Sequence, residues 1–127
     1  MPIFKIIVLL FVLIISIKCT KEEITTREYP RLKTSSISKV SGNSYFNAEF
    51  IHKGDFVIME HGFVFGEKKN PTTEFDNILK SDGNIQGDTF SIEIPTELRT
   101  GVGYHVRAYI ITNNYKVYGT NINFINP

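Results

Sequence analysis

Three histidines, His52, His61 and His105, are the side chains of this sequence best suited to acid–base or metal chemistry, and Glu60 stands beside His61 as a carboxylate partner. Their spacing argues against a site. None of the three is two or four residues from another, so no strand face or helix face presents a ligand pair. Asp82, Asn84 and Asp88 bring oxygen donors into one stretch, as a hard cation such as calcium would need. The D-x-[DN]-x-[DN]-G frame of a calcium loop is absent, and Asp82-Gly83-Asn84 reads more simply as a turn. No glycine-rich phosphate loop, G-x-S-x-G elbow or HExxH helix occurs. The expectation is a protein that is not an enzyme and that holds no metal and no cofactor.

Composition narrows the remaining classes. The 127 residues suffice for one domain of ordinary size. Fourteen basic against 13 acidic residues give a net charge of +1, which argues against a nucleic-acid partner. A single cysteine, Cys19, excludes an internal disulfide and any CxxC metal site.

The first 18 residues are set apart from the rest. Lys5 opens a run, Ile6–Ile17, that is apolar throughout except for Ser16, and Lys18 closes it. Twelve residues span about 18 Å as a helix, short of the roughly 30 Å hydrocarbon core. The run therefore fits a secretory signal better than a membrane span. Residues 1–18 read as a signal peptide and residues 19–30, polar and ending at Pro30, as a tether.

Cys19, directly after this apolar run, resembles the lipidation site of bacterial lipoproteins, with Lys18 standing where such sites carry a small residue. The resemblance implies that Cys19 is acylated, by palmitate among other chains, and becomes the first residue of the mature protein. Each buried CH₂ of an acyl chain contributes about 0.8 kcal/mol of anchoring. The residues also admit an uncleaved signal anchor, with Lys5 and Lys18 reaching the two interfaces. Loss of Lys5 and Lys18 takes the 14 basic residues to 12 against 13 acidic, so the mature chain is slightly acidic. Thr20-Lys21-Glu22-Glu23 resembles the signal by which Bacteroidota lipoproteins reach the outer face of the outer membrane. It gives Lys21, Glu22 and Glu23 a role in surface export, although a solvated tether has the same composition.

From Arg31 onward the pattern has period two. Phe46, Ala48 and Phe50 share a parity, as do Phe90, Ile92 and Ile94, and as do Tyr104, Val106, Ala108 and Ile110. Tyr118, Ile122 and Phe124 share a face with Thr120 on a continuous last strand. Val57–Phe65 is apolar at both parities, which predicts a central strand covered on both sides. Between Arg31 and Val40 the parity switches after Thr34, predicting a bulged or kinked edge strand. Asn113-Asn114 predicts a tight hairpin through positive φ, and Phe75–Lys80 fits either a short strand or one helical turn. About seven strands without a long helix imply an all-β, antiparallel immunoglobulin-like sandwich over residues 31–127. Its core is expected from Phe46, Phe50, Phe90, Ile92, Val106, Ile122 and Phe124.

Leu98-Arg99-Thr100-Gly101-Val102-Gly103-Tyr104-His105-Val106-Arg107-Ala108-Tyr109 resembles the corner of a fibronectin type III domain. The resemblance implies that Leu98 caps the core and that the Tyr104 hydroxyl bonds to the corner backbone. More narrowly, Glu60–Gly66, Asn70-Pro71-Thr72, Tyr104–Tyr109 and Tyr118-Gly119 resemble repeats of Bacteroidota surface lipoproteins. If Tyr104, Val106 and Ala108 face inward, His105, Arg107 and Tyr109 form an outer face able to recognise a protein or glycan, or to stabilise the sheet by stacking. Two functions follow as expectations. One is a lipid-anchored binding or adhesion module for an extracellular protein or glycan. The other is a structural subunit docking onto an outer-membrane protein complex.

Overall fold

The computed structural model describes residues 29–82 and 84–126. Cys19, Lys21, Glu22, Glu23 and the 1–18 segment lie outside the described residues. Among the described residues eight strands follow one another: β1 (Arg31–Val40), β2 (Asn43–His52), β3 (Ile58–Gly66), β4 (Asn77–Asp82), β5 (Thr89–Glu93), β6 (Gly103–Thr112), β7 (Lys116–Tyr118) and β8 (Ile122–Ile125). One sheet has the order β1-β2-β5, and the other β4-β3-β6-β7 with β8 also paired to β6. All pairs are antiparallel, and β2 to β3, β4 to β5 and β5 to β6 each cross between sheets. This is an immunoglobulin-like sandwich of the fibronectin type III kind, with its last strand split in two.

Alternation places the core. Phe46, Ala48 and Phe50 of β2 and Tyr104, Val106, Ala108 and Ile110 of β6 are buried between the sheets. Phe46 sits at the centre, its ring 5.4 Å from Phe63, 5.7 Å from Phe65 and 5.4 Å from Phe124. Each such ring contributes roughly 1.5–3 kcal/mol when fully buried. From His61 to Gly66 β3 is covered on both faces, Phe63 and Phe65 pointing inward and Val64 outward, whereas Met59 is 59% exposed and Val57, expected in the strand, lies just before it and is 71% exposed. β1 is an edge strand whose register slips between Ser35 and Ser38, where the parity changes. Pro30, the last residue of the expected tether, is also fully buried.

The structure departs from the sequence pattern at two places near the C-terminal strands. Tyr118 pairs with Tyr109, but Ile122 pairs with Val106 and Phe124 with Tyr104, so one extra residue is accommodated around Gly119-Thr120-Asn121. A one-residue slip reverses the face. Tyr118 therefore lies on the outer surface, while Val117, Ile122 and Phe124 pack on the core. The hairpin after β6 does close at Asn113-Asn114, with Thr112 N donating to Tyr115 O at 2.8 Å. Neither asparagine has positive φ. Instead the Thr112 hydroxyl accepts from Asn114 N at 3.2 Å and Tyr115 N at 2.9 Å. Positive φ serves the turn from β1 to β2, at Ser41 (50°) and Gly42 (85°). Phe75–Lys80 resolves into the approach to β4 and the strand itself.

Strand direction gives the sandwich two poles. Arg31 pairs with His52, and the 53–57 connection, the 84–88 connection and the Asn113-Asn114 turn lie at that same end. The opposite end holds the Ser41-Gly42 turn, the 67–76 loop, the 94–102 corner and Asn126. The chain thus enters at one pole, and its longest loop emerges at the other.

Candidate functional site

At the pole away from chain entry, the 67–76 loop and the 94–102 corner form the walls of an open groove of about 940 Å³. Phe65, Leu98 and Tyr104 lie at its base. The corner wall is set by Tyr104, whose hydroxyl accepts a hydrogen bond from Arg99 N at 3.0 Å. Leu98 packs against the core beside it. This is the geometry expected of the Leu98–Tyr104 pair. The Arg99 guanidinium then donates to the Glu67 carboxylate, linking the two walls. Both partners are well exposed, so the pair orients the groove more than it stabilises the fold.

The loop wall is held by hydrogen bonds, most of them to residues distant in sequence. Asn70 adopts φ of 56°, in the left-handed region, and its N–H donates to Asn121 Oδ1 at 2.8 Å. Pro71 follows and is fully buried. Thr73 N donates to the Tyr118 hydroxyl at 3.1 Å, and Lys116 Nζ donates to Thr73 Oγ1 and Glu74 Oε1, both at 2.9 Å. The loop closes on itself through Thr72 N to Asp76 Oδ2 at 2.9 Å. Gly66 permits this closure, because a Cβ there would sit 2.6 Å from Asp76 Oδ1. The Lys116 ammonium holds the Glu74 carboxyl below the usual range, and Glu74 in turn raises Lys116. On this fixed loop Phe75 is 91% exposed, with Lys68 and Lys69 on the same rim.

The outer face of β6 differs from expectation. His105, Arg107 and Tyr109 do lie on one face, but Tyr109 is 0% exposed and cannot be part of a recognition patch. Its hydroxyl donates to Glu60 Oε2 at 2.8 Å, and burial pushes its ionisation above the usual tyrosine range, reinforced by Glu60. Arg107 lies over the Tyr118 ring, 4.0 Å from its centroid, and burial lowers its pKa. His105 Nδ1 is 2.9 Å from Asn121 Nδ2. These side chains form a stacked and hydrogen-bonded layer beside the strands that anchor the loop. Their geometry is that of sheet stabilisation, and Tyr118, which pattern reading placed inside, is its central member.

The histidines are not brought together. His61 faces inward with its ring 4.8 Å from Phe90, His105 lies outside near the groove pole, and His52 ends β2 at the entry pole. Among the described residues no group of three or more His, Cys, Asp or Glu side chains converges to hold a metal. Phe75 went unread as a site residue, although a lone aromatic in the polar run between Asn70 and Asn77 was a usable signal.

No family model matches the chain, and no curated protein matches it. Among solved structures, one titled "Myokine structure" is similar over 79% of this chain and 97% of its own, at 11% identity and a TM-score of 0.48. The fold assignment rests on the strand order and register above.

Proposed function

We propose that this protein is a non-catalytic binding module, held at the outer membrane by lipid on Cys19, whose far-pole groove recognises an extracellular protein. The observation that supports it is Phe75: a large apolar side chain left 91% exposed on a loop that is otherwise tightly hydrogen-bonded. Exposing an aromatic ring gives up burial energy, and interface hot spots are rigidly presented aromatic and arginine side chains of this kind. A protein ligand fits better than a glycan, since the sequence has no Trp and the groove offers one exposed ring rather than a stacking platform. On this reading the groove, at the pole opposite Pro30, faces away from the membrane.

Two measurements test this reading. Cys19→Ser should move the protein out of the membrane fraction, and unaltered membrane retention would indicate a signal anchor. Binding of the full chain displayed on lipid vesicles to intact neighbouring cells should fall at least tenfold in Phe75→Ala, with an unchanged melting transition. It should also vanish when those cells are pretreated with protease. Loss after glycosidase alone would point to a glycan, and undiminished binding by Phe75→Ala would remove the groove from the function.

A further inference from the structure

A second feature at the same pole stands apart from the groove. β8 is the edge of its sheet beyond β6, and its sequence, Ile122-Asn123-Phe124-Ile125, carries no charge. The other edges carry the devices that discourage pairing: β1 has a bulge with Lys33 and Lys39, β4 has Lys80, β5 is short and ends in Glu93, and β7 has three residues and opens on Lys116. Asn126 N donates to Val102 O at 3.2 Å, which fixes the phase of hydrogen bonding along this end of the strand. Alternation along an antiparallel strand then turns the N–H and C=O groups of Asn123 and Ile125 outward. Among the described residues no backbone hydrogen bond joins β8 to β1. Asn123 is exposed, and Ile125 is 70% exposed.

Beside this edge lies a pocket of about 270 Å³ between β1 and β8, lined by Ile37, Ile94, Phe124 and Ile125 with Lys39 and Asn126 at its border. It opens where the bulge in β1 changes the path of that strand. Nearer the entry pole β1 lies tight against the β7–β8 junction: a Cβ on Gly119 would come within 2.9 Å of Thr34 N. Among the described residues the edge is therefore covered at Gly119 and open at Asn123 and Ile125.

We infer that β8 accepts an extended peptide segment of a partner protein by strand addition, with one apolar side chain of that segment entering the pocket between β1 and β8. Backbone groups of the partner satisfy those of Asn123 and Ile125, and the pocket selects the residue facing inward next to Phe124. A second copy of this chain pairing through its own β8 is a poor occupant. Its inward residues would be Ile122 and Phe124, which already pack on their own core and have nothing to place in the pocket. The site is independent of Phe75, so its failure would leave the groove reading intact.

The test uses the full chain in detergent micelles and the capped hexapeptide Thr-Val-Thr-Leu-Thr-Lys, together with versions in which Phe, Val or Ala replaces Leu. Strand addition predicts saturable binding that depends on the central residue. It also predicts at least tenfold weaker binding when two alternate peptide amides are N-methylated. Amide hydrogen exchange at Asn123 and Ile125 should slow on binding. Ile125→Pro, which removes an outward N–H and no ladder bond, should weaken binding at least fivefold without changing the melting transition. The inference is overturned if none of the peptides binds, if N-methylation has no effect, or if protection appears at the 67–76 loop instead. Slow exchange of Asn123 and Ile125 in the peptide-free chain would also overturn it, because the edge would then be occupied already by this chain or a second copy.

Discussion

Thr34 of the first strand and Ala108 of the sixth are joined across the sandwich: Ala108 N donates to Thr34 Oγ1 at 2.9 Å, in a buried setting. The bond exists because the last strand is interrupted. Gly119 N donates to Ala108 O at 2.7 Å, but the extra residue around Gly119–Asn121 breaks the regular pairing opposite Ala108. A hydroxyl from the other sheet takes the place of a strand carbonyl. Gly119 makes the approach possible, since a Cβ there would lie 2.6 Å from Thr34 Oγ1.

Replacing Thr34 by Val keeps the shape and leaves the Ala108 amide without its acceptor. The expected loss is about 1–3 kcal/mol of unfolding free energy, read by denaturant titration, with Thr34→Ser recovering most of it. An unchanged midpoint for Thr34→Val would show that the amide finds another acceptor.

Gly62 lies where β3 and β4 approach closely. A Cβ at Gly62 would stand 2.0 Å from the Leu79 carbonyl oxygen, a backbone atom that cannot rotate away. Gly62→Ala should therefore cost at least about 2 kcal/mol, beyond what overpacking of mobile side chains usually costs at its lower end. Calorimetric melting of the full chain in micelles checks this, and a variant as stable as the parent would mean that β4 shifts freely.

Tyr104→Phe removes the acceptor of Arg99 N at the corner and leaves the ring in place. A loss of about 1–2 kcal/mol is expected, with faster amide exchange confined to residues 98–102. Exchange unchanged at Arg99 would mean that the corner holds its shape without the hydroxyl.

Tyr109 makes the fold sensitive to alkali. Its folded-state pKa lies above the usual tyrosine value near 10, so the folded protein keeps a proton that the unfolded chain gives up. Folding free energy from this group is fully present below pH 10 and declines as pH rises from there toward the folded value. Phenolate absorbance should show one tyrosine that ionises only with unfolding, and Tyr109→Phe should remove that late step. A phenolate titration in which all tyrosines ionise before the fold melts would contradict the burial.

Much of the sandwich was legible because alternation is a local property. Phe46, Ala48 and Phe50 declare their face within a few residues of chain, and so does the switch of parity after Thr34 that marks the β1 bulge. Tyr118 was misplaced because one inserted residue reverses every face beyond it, and Gly119-Thr120-Asn121 does not announce the slip in its own composition. Parity puts Tyr109 on the outer face without exposing it, because strand parity reports direction, while burial depends on what lies over the face. The corner was readable from Leu98 and Tyr104 alone. The groove was not, since its loop wall depends on Thr73 meeting Tyr118 and Asn70 meeting Asn121, partners some 45 and 51 residues away.

The two poles also decide how the domain would carry load. A pull between the entry at Pro30 and a ligand held at Phe75 runs along the strands. The hydrogen bonds between β1 and β2 lie across that direction, so they are strained together in shear instead of being peeled open one at a time. The first strand is thus a mechanical clamp. The register slip between Ser35 and Ser38 divides it into two stretches, and under tension the sandwich is expected to yield there first.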